Sequence, residues 1–102
     1  MIDKTRVLDV VAERLRSLPV GHYLELRTYK RDRALLIVRR TEDQLRVLQR
    51  GFEEVDHEVD RAKLRRLLKS LLKKEFPRSN KVRLYTPGAF DEGAQTSKRK
   101  RL

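Results

Sequence analysis

The chain has 102 residues, 38% hydrophobic and 40% charged, with 26 Lys and Arg against 15 Asp and Glu, for a formal net charge of +11; this is enough for one small domain with a tail to spare. It contains no cysteine, which excludes disulfides, iron–sulfur clusters and cysteine-ligated zinc together. No apolar run approaches the roughly 20 residues that span a bilayer, and Met1 opens a charged segment unlike a signal peptide, so no membrane partner and a cytoplasmic setting are expected.

The charge is unevenly spread. Residues 1–26 sum to zero, 27–40 to +5, 41–60 to −5, 61–86 to +9 and 87–102 to +2. Two basic blocks therefore flank an acidic stretch.

The first element reads as a helix, because Val7, Leu8, Val11, Leu15 and Leu18 recur at three- and four-residue intervals, with Ile2 one turn earlier. Asp3 is its expected N-cap, and Pro19–Gly21 its stop. From His22 to Thr28 the period changes to two, with Leu24 and Leu26 set against Tyr23, Glu25 and Arg27, the pattern of a half-buried strand. Tyr29–Arg33 is a polar, cationic connection. Ala34–Arg40 holds the β-rich run Leu35–Val38 and reads as a central strand. After a short turn at Thr41–Gln44, Leu45–Arg50 is a third strand, and Gly51 suggests a turn or bulge. Short connections make an antiparallel meander the natural pairing.

For Phe52–Val59, strongly acidic with Phe52, Val55 and Val59 as apolar anchors, extension of the third strand and an ordered loop both stay open. Asp60 is the expected N-cap of a second helix, Arg61–Phe76, whose stripe is Leu64, Leu67, Leu68, Leu71, Leu72 and Phe76. Lys81–Thr86 alternates as a fourth strand. Residues 87–102 lack periodicity and close on the basic run Lys98–Arg101, as a disordered tail would. The expected architecture is thus α+β over residues 1–86: order α-β-β-β-α-β, a two-layer sandwich of a mainly antiparallel sheet with two helices on one face.

The exposed side of the second helix carries the most information about function. Arg61, Arg65, Lys69 and Lys73 are four apart and line one edge of the cylinder, while Arg66 and Lys63 add to it. Like charges at that spacing repel by a few tenths of a kcal/mol per pair, so a stripe kept despite the repulsion suits a polyanion. The bland reading is a solvated face of good helix formers. A second block, with Tyr29 among Lys30, Arg31 and Arg33, could grip phosphates and stack a base; its bland reading is a soluble turn that blocks edge pairing. With few aromatics, and with Phe52 and Phe76 assigned to the core, binding should be driven by the backbone, salt-sensitive and weakly selective.

The helix–three-strand–helix order resembles the double-stranded-RNA-binding domains in topology. That family grips phosphates with lysines at the start of the second helix, where Arg61 and Lys63 stand here. The family's glycine-rich approach to that helix is replaced by Glu53–Asp60, and a further strand follows. The order also resembles the core of restriction-endonuclease-like nucleases, with Asp32, Gln44–Leu45–Arg46 and Glu13 at roughly the metal-binding places. That family's triplet of Glu or Gln, any residue and Lys lacks its lysine here, and Asp32 between Arg31 and Arg33 is better placed to pair with them than to hold magnesium.

Asp56, Glu58 and Asp60 alternate as in a calcium loop but lack its glycine and closing glutamate, and serve better as complements to a helix dipole and nearby cations. His22 and His57 have no ligand spacing, and no serine has a credible base. No metal, cofactor or catalytic residue is implied. The expectation is a small non-catalytic DNA- or RNA-binding protein. Its main alternative is a protein-interaction or regulatory module, with a homodimer among its forms, and a metal-dependent nuclease is the remote one.

Overall fold

The computed structural model describes residues 2–27, 33–50, 54–76 and 81–90. The elements are β1 (Ile2–Asp3), a 3-10 turn (Lys4–Arg6), α1 (Val7–Ser17), β2 (His22–Arg27), β3 (Ala34–Arg39), β4 (Gln44–Arg50), β5 (Glu54–Asp60), α2 (Arg61–Glu75) and β6 (Lys81–Ala89). The strands form one sheet in the order β1-β6-β2-β3-β4-β5, and every adjacent pair is antiparallel. The α+β sandwich of the sequence analysis is therefore present, with a strand added at each edge.

Both helices lie on one face, as their stripes require. Val7, Val11, Leu15 and Leu18 from the α1 region and Leu64, Leu68, Leu71, Leu72 and Phe76 from the α2 region share one buried cluster with Leu24, Leu26, Leu35, Ile37, Leu45, Val47 and Val82 of the sheet. Each helix is pinned at its C-terminal end, where unpaired carbonyls carry partial negative charge. Arg39 Nη1 donates to the carbonyls of Leu15 and Leu18, both at 2.8 Å, and Lys4 Nζ donates to the Phe76 carbonyl.

The structure departs from the sequence reading in four places. First, the described part of the acidic segment, from Glu54, is β5 (Glu54–Asp60), a separate strand paired along its whole length with β4. Its acidic side chains are tolerated because arginines stand against them: Arg46 of β4 holds Asp56, and Arg40, directly after β3, holds Glu58 at 2.9 Å. Second, Asp3 caps nothing with its side chain; it ends β1 and pairs with Lys81 across the β1–β6 ladder at 2.6 Å. Third, β2 is not half-buried. Tyr23 and Glu25 are only 7% and 8% exposed, because Tyr23, Leu36, Val38 and Leu48 form a second apolar cluster on the face away from the helices, and Phe90 packs edge-on against Tyr23. Glu25 is neutralised there by Arg27.

Fourth, β6 runs beyond Thr86 to Ala89, so ordered chain continues past the boundary expected at residue 86. Between Tyr23↔Gly88 and Glu25↔Tyr85 the register shifts, leaving Thr86 and Pro87 opposite Leu24 alone. A bulge on a strand near the sheet edge is where a proline, which has no N–H to donate, can sit. Gly88 follows at φ +118°, a backbone region that side chains disfavour. The expectations for Gly51, Phe52, the 28–32 connection and the closing basic run fall outside the described residues.

Candidate nucleic-acid interface

Asp60 starts α2 as expected: its carboxylate accepts from the Lys63 backbone N–H at 2.9 Å. The Arg61 N–H donates to the Asp43 carbonyl at 3.1 Å, which ties the helix start to the β3–β4 turn. With Leu64, Leu68, Leu71 and Leu72 turned into the core, the intervening residues must face outward. Arg61, Lys63, Arg65, Arg66, Lys69, Lys73 and Lys74 are all exposed.

The ridge Arg61–Arg65–Lys69–Lys73 forms one wall of a furrow between the two helices. The furrow comprises two grooves that share Leu8. One, of about 660 Å³, is lined by Asp3, Lys4, Thr5, Leu8, Leu72, Lys69 and Lys73. The other, of about 280 Å³, includes Leu8, Ala12, Arg16, Leu68, Arg61 and Arg65 in its lining. Lys63 and Arg66 line neither groove. Lys4, Thr5 and Arg16 were not in the sequence-derived set, because nothing local in the chain says which residues of one helix will stand beside which of another.

Among the described residues a bridge crosses the furrow: Arg65 donates to Asp9 of α1 at 2.9 Å, with side chains 60% and 73% exposed. Among the described residues, no carboxylate stands within ion-pair distance of Arg61, Lys63, Arg66, Lys69 or Lys73. The sheet is treated differently. Arg46 grips Asp56 through Nε and Nη2, and that hydrogen bond holds the Asp56 carboxyl below the usual aspartate range. Lys81 does the same for Asp3 through its own hydrogen bond.

Of the second basic block, Tyr29, Lys30 and Arg31 lie outside the described residues, as does Asp32. Arg33 is half-buried before β3 and already engaged in an interaction. Of the other nuclease-like positions, Arg46 is committed to Asp56. Among the described residues, no three His, Asp or Glu side chains gather as metal ligands would, and no helix is long and apolar enough to cross a membrane.

No protein-family model matches the chain, and neither a curated protein nor a solved structure is significantly similar to it.

Proposed function

We propose that this protein binds nucleic acid without catalysing a reaction, holding the phosphate backbone through the basic ridge of α2. The supporting observation is a contrast in how charge is partnered. Carboxylates are matched to Arg27, Arg40 and Arg46 on and beside the sheet, and to Lys81 at its edge. On α2, Arg61, Lys63, Arg66, Lys69 and Lys73 stand exposed with no such partner among the described residues. Their mutual repulsion is relieved when they neutralise phosphates and displace the cations condensed on the nucleic acid.

The ridge sits on a capped helix, so the grip is one of position and charge, with little means of reading base edges. Replacing Arg61, Lys69 and Lys73 together by Ala should weaken binding to all sequences alike and lower the slope of log K against log salt by about 2 to 3. A titration of labelled oligonucleotides at several salt concentrations measures both. An unchanged slope rejects α2 as the contact surface. A nuclease-treated homodimer with no affinity for any oligonucleotide replaces this function with protein interaction.

A further inference from the structure

Strandedness follows from the shape of the furrow. The cations of the ridge stand at its rim, above an aliphatic floor in which Leu8 is half-buried and the core residues Leu68 and Leu72 reach the surface only slightly. A duplex presents phosphates outward and keeps its base faces stacked inside; it would touch the rim and leave the floor wet. An unpaired strand offers phosphates and base faces together. Successive ridge cations are four residues apart, about 6 Å along the axis at 1.5 Å per residue, so neighbouring cations can meet neighbouring phosphates of one strand, paired or unpaired. The larger groove, about 660 Å³, is within the size range of small-molecule sites and has room for a base. Of the carboxylates at the furrow, Asp3 lines the larger groove with its charge paired to Lys81, and Asp9 lies across the path, bonded to Arg65.

We propose that the furrow between α1 and α2 seats a single unpaired polynucleotide strand, with its phosphates on Arg61, Arg65, Lys69 and Lys73 and its bases on the aliphatic floor, and that the exposed Asp9–Arg65 bridge opens to admit it. This rests on the nucleic-acid function proposed above and adds the class of strand. Exposed pairs of this kind are weak and salt-screened, so the strand's phosphates can displace Asp9.

The test compares labelled oligothymidylate and oligouridylate of about 12 nucleotides, a length within the usual site sizes, with DNA and RNA duplexes of equal length. The wild-type chain should prefer single strands of at least one sugar type. Asp9→Asn should tighten single-strand binding about threefold, the scale of an exposed ion pair, and raise the single-to-double-strand ratio. Thr5→Leu obstructs the larger groove and Ala12→Leu the smaller without adding a ring for a base to stack on; both positions are exposed, and circular dichroism checks their folding. Each plug should reduce single-strand affinity severalfold and spare duplex binding. Equal affinity for single and double strands, or folded plugs without effect, overturns the furrow while leaving the α2 ridge standing. No binding to any of the four probes overturns the nucleic-acid function itself.

Discussion

Asp56 and Asp60 belong to the same acidic strand and do different work. Asp60 closes the first turn of α2 by accepting from Lys63 N–H; Asp60→Ala should cost about 1 kcal/mol in urea denaturation, and Asp60→Asn much less. Asp56 is held ionised by Arg46. Since its folded pKa lies below its unfolded value, its stabilisation is present above about pH 4 and fades as pH falls through the folded value. Wild type should therefore exceed Asp56→Asn in stability near neutrality, and the difference in unfolding midpoint should shrink in acid. The Asp60 cap was legible in the chain, because a cap and its helix are neighbours. Asp3 looked equally good by the same rule and was taken instead by Lys81, a partner brought beside it by the sheet.

At the scale of elements, helices were easier to read than strand edges. The leucine spacing of α2 marks its buried face whatever it packs on, so both helices and their shared side of the sheet were foreseeable. β5 carries an alternation as well, with Val55, His57 and Val59 against Glu54, Asp56 and Glu58, but acidic residues are poor strand formers. It is a strand because β4 lies alongside with arginines in register. β6 continues through Pro87 only because a bulge absorbs it. Gly88 has φ +118°, and a Cβ added there would meet nothing within 4 Å, so the position is constrained by backbone conformation and not by space. Gly88→Ala should thus cost about 1 kcal/mol or more, read from the thermal unfolding midpoint, and the loss should not depend on side-chain bulk.

Across the whole molecule, Phe76 joins the parts. It is fully buried, it closes α2, and its carbonyl receives Lys4 from beside β1. Phe76→Ala should cost about 3 to 5 kcal/mol, and calorimetry should show one cooperative transition moved to lower temperature, because both helices share the cluster it fills. The element order, the amphipathic helices, the cap at Asp60 and the excess of positive charge could all be had from the chain alone, since periodicity, capping and composition are local or additive. Which cations keep a carboxylate, why both faces of β2 are covered, and that the ridge walls a furrow required the folded molecule. Those properties depend on which side chains from distant segments become neighbours, and strand pairing and helix packing set that through registers the linear order does not carry.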